Sequence, residues 1–119
     1  MWDVEYTDEF EAWWERLSQE QQEALDAAVM LLAATGPALG RPFADRIVSS
    51  RHQNMKELRV SEAGALRVLF AFDPRRTAIL LLGGDKSGRW SAWYRQAVPR
   101  ADDLYDQYLT ELEREGLIG

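Results

Sequence analysis

Three apolar runs, residues 55–60, 66–72 and 78–83, follow one another with only five residues between each pair, and no other feature restricts the fold of this chain so tightly. Runs of that length rich in Leu, Val, Ile and Phe read as strands. Linkers that short leave no room for a crossover helix, so the three strands form an antiparallel meander. With residues 61–65 as the first loop, Val60 faces Leu66, Arg59 faces Arg67 and Leu58 faces Val68. Leu58, Val60, Leu66, Val68, Phe70 and Phe72 then share one buried face, as a sheet covered on one side requires. The second hairpin, turning through residues 73–77, pairs Phe72 with Ala78 and therefore Arg67 with Gly83.

That register has an electrostatic consequence. Like charges placed directly opposite each other on a sheet cost a few tenths of a kcal/mol up to ~1 kcal/mol, so the Arg59–Arg67 pair predicts an anion between the two guanidinium groups. Lys86 lies just past the end of the third strand, and Gly83 and Gly84 present no side chain, which lets a backbone approach closely. The expected site is a shallow basic surface carrying Arg59, Arg67 and Lys86, with Lys56, Arg51 and His52 at its edge.

The net charge of −6 argues against a phosphate-bearing partner only where charge is evenly spread. Here residues 1–40 hold one Arg against nine acids, residues 41–100 hold twelve Lys or Arg against five acids, and residues 101–119 hold one Arg against six. Acidic groups therefore fall on the expected helices and basic groups on the expected sheet. Two readings follow: the halves neutralise each other within the fold, or the sheet holds an anionic ligand.

A chain of 119 residues, 46% apolar, is long enough to bury one core without staples and too short for a second domain. It has no cysteine, which excludes disulfides and thiolate metal sites and makes a cytoplasmic address the expectation. No charged segment followed by an apolar one opens the chain, and its longest apolar runs fall far short of a membrane span, so a soluble protein is expected.

Alternation of Trp2, Val4 and Tyr6 with Asp3 and Glu5 predicts a short strand joining the sheet. Thr7 or Asp8 caps a helix to about Leu17. Ser18 with Gln21 forms a capping-box pattern for a second helix, whose Leu25, Ala28, Val29 and Leu32 keep the spacing of a buried stripe until Gly36-Pro37 stops it. Residues 38–54 read as a basic loop with a short extended piece near Ile47 and Val48. Residues 90–97 read as a helical turn ended by Pro99, and residues 101–115 as a last helix with Leu104, Tyr105, Tyr108 and Leu112 as its stripe. The order defines an α+β fold: an N-terminal strand and helical hairpin packed on a small antiparallel sheet, then a C-terminal helix.

Several fixed cations around one phosphate suit RNA cleavage by internal transfer, in which a ribose 2′-hydroxyl attacks its own 3′-phosphate and Arg and Lys stabilise the charge developing on the phosphoryl oxygens. Such chemistry requires no metal or other cofactor. The titratable groups for proton transfer are His52, the only histidine, together with Lys56, Asp85 and Tyr94. Arg89, Trp90, Trp93 and Tyr94 follow the basic exit of the third strand, an arrangement of aromatic platforms beside cations that holds single strands. Asp102, Asp103 and Asp106 fall where a helix N-terminus favours acids, and Arg75 and Arg76 at an exposed turn tip. Trp13 and Trp14 read as core.

The run from Asn54 to Arg59, the strand Leu66-Arg67-Val68-Leu69-Phe70, the strand Ile79-Leu80-Leu81-Leu82 ending in Gly84-Asp85-Lys86, and the tail through Trp90, Tyr94, Pro99 and Leu104-Tyr105-Asp106 together resemble the RelE/HigB superfamily of toxins from bacterial toxin–antitoxin systems, in particular its phage-derived branch. The resemblance covers nearly the whole chain. It implies a ribosome-dependent mRNA endonuclease neutralised by a cognate antitoxin, with ribosome and mRNA as its other partners. It places the family's strand arginine at Arg67, the basic residues of the preceding strand at Lys56 and Arg59, the basic residue after the last strand at Lys86, and the C-terminal aromatic at Tyr94. Residues Arg51, Gly84, Arg89, Trp90 and Trp93 become the expected RNA contacts. The chain departs from the family in following Lys56 with Glu57 and in carrying no histidine after His52, which leaves the identity of the acid and base open. Two other readings share the scaffold: a ParE-like inhibitor of DNA gyrase without hydrolysis, and an antitoxin-pairing transcriptional regulator.

Overall fold

The computed structural model describes residues 1–86 and 90–119, the side chain of Trp90 excepted. Its elements are β1 (Val4–Tyr6), α1 (Asp8–Glu15), α2 (Gln19–Thr35), a single 3-10 turn, β2 (Ala44–Arg46), β3 (Lys56–Val60), β4 (Leu66–Phe72), β5 (Ala78–Asp85) and α3 (Trp90–Arg114). The sheet runs β1-β5-β4-β3-β2, antiparallel except for the β1–β5 pair at one edge. The expected α+β architecture and the meander at its centre are both present.

Local chemistry accounts for the hairpin of helices. The Thr7 hydroxyl accepts from the Phe10 amide at 3.1 Å and donates to the Leu81 carbonyl at 2.7 Å, so one side chain both starts α1 and pins it to β5. Ser18 and Gln21 form the reciprocal capping box that opens α2. Phe10, Trp13, Leu25 and Leu32 then pack on Leu58, Val60, Val68, Phe70 and Leu80.

The sheet is covered on both faces rather than one. Helix α3 buries Ala97, Val98, Ala101, Leu104 and Tyr105 against Leu69, Ala71, Ile79 and Leu81. These strand positions are apolar at alternate residues too, which is how a doubly covered strand differs from a half-exposed one. Pro99 does not end the helix: it lies inside α3 on an exposed flank, where water can satisfy the carbonyl its ring leaves unpaired.

Two further details differ from the sequence expectation. The extended piece before β3 is Ala44–Arg46, and Ile47 instead turns inward while Val48 is exposed. Arg59 faces Arg67 and Phe72 faces Ala78 as expected, but a bulge between Leu69 and Phe70 pairings brings Arg67 opposite Gly84, not Gly83. The bulge places one extra β5 residue between the two pairings, so Leu81 and Leu82 both pack toward α3.

Candidate functional site

Because side chains alternate along a strand, Glu57, Arg59 and Arg67 all project to the α3 side, beside the first turns of that helix. Glu57 is 5% exposed and Arg67 8%. The Arg59 guanidinium donates to Glu57 Oε2 at 3.1 Å and to Asp45 Oδ2 at 3.3 Å. Arg67 Nε stands 3.6 Å from Glu57 Oε1, and Arg67 Nη1 donates to the Leu66 carbonyl at 2.8 Å. The anion expected between the opposed arginines is thus the carboxylate of Glu57, one residue beyond the lysine that the sequence singled out. At 3.6 Å the Arg67–Glu57 contact is an ion pair without a hydrogen bond, and Arg67 Nε is a buried donor with no hydrogen-bond partner among the described residues.

Tyr94 and Lys86 complete the cluster. The Tyr94 hydroxyl donates to Glu57 Oε1, and burial followed by that carboxylate pushes its pKa up to about 12. Lys86 Nζ lies 5.7 Å from the centroid of the Tyr94 ring. Desolvation and then the positive charge of Arg67 lower the Lys86 pKa, while Glu57 acts in the opposite direction. Arg59, Arg67, Lys86 and Tyr94, drawn from β3, β4, the end of β5 and α3, therefore converge around one buried carboxylate.

Other expected site residues go elsewhere. Lys56 projects to the opposite face of the sheet, where its Nζ donates to the Pro37 carbonyl at 3.0 Å. Gly84 is covered by the Trp93 indole rather than open to an approaching backbone; a Cβ there would sit 2.1 Å from Trp93 Nε1. Trp93 itself packs edge-on against Tyr94, with ring centroids 5.0 Å apart. Arg89 and the side chain of Trp90 lie outside the described residues.

Arg51 and His52 are clasped to α3. The Arg51 guanidinium bonds Asp103 at 3.0 Å and also Asp106, while His52 Nε2 lies 2.8 Å from Asp106 Oδ1 and its ring stands edge-on to Tyr105. Asp102, 3% exposed, accepts from the Ser50 hydroxyl at 2.5 Å and the Arg51 amide at 3.3 Å. Since α3 starts at Trp90, these acids are mid-helix anchors and not N-terminal charges. Arg75 is likewise engaged, with Asp73, Glu5 and the Tyr108 hydroxyl, and Arg76 stacks 4.5 Å from the Trp2 ring centroid. Sequence reasoning missed Glu57 and Asp45 as partners of the cluster. The available signal was an acid two residues before Arg59 on the same face of its strand.

A five-stranded sheet with a helical hairpin on one face and a long helix on the other, holding a cationic cluster beside that helix, defines a RelE-type α+β fold. The chain superposes on an arginine-to-alanine double mutant of the Escherichia coli toxin RelE in its free state with a TM-score of 0.62, at 12% identity, covering 83% of this chain and 96% of that one. Residues 12–106 match the family described as Phage derived protein Gp49-like, and the chain belongs to that family, within the RelE/HigB superfamily of toxins. It is 45% identical over 104 residues to a Mycobacterium tuberculosis protein named as toxin HigB2, covering 86% of this chain and 52% of that protein, so it spans about half the length of that relative. It is 46% identical over 99 residues to one named as toxin HigB3 from the same organism, covering 83% of this chain and 86% of that protein.

Proposed function

We propose that the protein is the toxin of a toxin–antitoxin pair and cleaves ribosome-bound mRNA by attack of a 2′-hydroxyl on the adjacent phosphate. The observation that carries this reading is the convergence of Arg59, Arg67 and Lys86 beside Tyr94, in a chain of this family. Arg59 and Arg67 supply fixed positive charge to the phosphoryl oxygens, and the Glu57 carboxylate holds their guanidinium groups in place until a phosphate competes for them. Lys86, with its lowered pKa, is the better group to take the 2′-hydroxyl proton. Tyr94 keeps its proton at neutral pH and suits donation to the departing 5′-oxygen. The O2′–P bond forms as the P–O5′ bond breaks, leaving a 2′,3′-cyclic phosphate. In this reading His52 and Lys56 are structural, a cognate antitoxin restrains the protein, and it acts in the cytoplasm where ribosomes are.

The compensation of Arg67 by Glu57 favours a second reading, a ParE-like inhibitor that binds without hydrolysis. Induced expression separates the two. Rapid translation arrest with cleaved mRNA is expected, and Arg67→Ala is expected to abolish both while the far-ultraviolet circular dichroism stays native. A toxic Arg67→Ala protein with uncut mRNA and DNA-damage signalling moves the assignment to the second reading.

A further inference from the structure

On the sheet face turned away from Arg67, β1 and the two helices of the hairpin leave a groove of about 490 Å³. Phe10, Trp14, Val29 and Leu80 give it an apolar floor, and Tyr6, 57% exposed, stands at its side. Among the described residues its charged lining is all acidic: Glu11 and Glu15, one turn apart on α1, form one wall, and Asp26 on α2 forms the other. Among the described residues none of these three carboxylates enters an ion pair. Within the first 40 residues Arg16 is the single base against nine acids, so little within this part of the chain offsets them.

An apolar floor between two acidic walls is the complement of a helix whose apolar stripe is flanked on both sides by Lys or Arg. We infer that this groove docks a basic amphipathic helix of a partner protein. The docking stands apart from the nuclease reading, because Lys56, Leu58 and the groove lie on one face of the sheet while Glu57, Arg59 and Arg67 lie on the other. An occupied groove leaves the cationic cluster uncovered.

The test is a titration of the isotope-labelled 119-residue chain with a synthetic Leu/Lys amphipathic helix of about 15 residues, followed by amide and indole chemical shifts. Two control peptides accompany it: one of the same composition in scrambled order, and one with Glu in place of Lys. Saturable binding is expected, with shifts concentrated at residues 10–15 and 26–29 and at the Trp14 indole. The exposed-site variant Glu11→Lys/Glu15→Lys/Asp26→Lys is expected to weaken it by about tenfold or more, with its thermal unfolding unchanged. Equal binding of the scrambled peptide, equal binding of the acidic peptide, shifts centred on the acids of α3, or no saturable binding each overturns the inference. None of these outcomes depends on whether mRNA is cut.

Discussion

Glu57 changes what the opposed arginines mean. Facing like charges were legible from loop length alone, and so was the need for an anion between them. That the anion is a side chain of the same strand depended on where a 5%-exposed carboxylate packs, which alternation places on the right face but cannot rank against a ligand. Tyr94 is bound to the same group, and its stability contribution has a definite sign. Its folded pKa, about 12, lies above the ordinary tyrosine value, so the stabilisation is complete below about pH 10 and is lost as pH rises through 12. Denaturant unfolding followed from pH 9 to 12 is expected to show a decline that Tyr94→Phe reduces; an unchanged slope in that variant removes Tyr94 as its source. Gly84 makes a second residue-scale case. Gly84→Ala is expected to cost about 1–3 kcal/mol in urea unfolding, because its Cβ overlaps the Trp93 indole. In a Trp93→Leu background the same substitution is expected to cost much less, and an equal cost there shows that the indole is not the cause.

At the scale of elements, strands and helical caps were legible because their signals are local. The Ser18–Gln21 capping box and the β3–β4 register are set by residues a few positions apart. Helix α3 was not, since Pro99 is a strong local stop signal and only packing of Ala97, Val98 and Ala101 on the sheet carries the helix through it. The same helix is also tied, through Asp102, Asp103 and Asp106, to the segment 50–52. Asp102→Ala removes a buried acceptor shared by Ser50 and the Arg51 amide and is expected to destabilise by about 1–3 kcal/mol. Asp103→Ala, at an exposed site, is expected to change stability by no more than about 0.5 kcal/mol. Equal effects in thermal unfolding, or a larger one at Asp103, contradict this division of the clasp.

At the scale of the whole molecule, the sign asymmetry along the chain is in large part neutralised within the fold. Much of the basic middle is consumed internally, by Asp102, Asp103 and Asp106 at Arg51 and by Asp73 and Glu5 at Arg75. On the proposed nuclease reading, a molecule of net charge −6 holds RNA chiefly through Arg59, Arg67 and Lys86 and engages about three phosphates, so its affinity for a single-stranded oligonucleotide is expected to fall with salt at a log–log slope of roughly −2. Anisotropy titrations over a range of salt measure it, and a slope steeper than about −4 assigns binding to a wider basic surface. Hydrophobic period, turn spacing and capping residues by themselves determined the meander, the hairpin of helices and the opposition of Arg59 to Arg67, because each rests on neighbours close in sequence. Only the tertiary structure decided that α3 covers the second face, that Trp93 fills the space over Gly84, and that Lys56, His52 and Arg51 point away from the cluster. Those outcomes turn on which distant side chains compete for one cation or one cavity, and that competition is settled by packing rather than by any spacing along the chain.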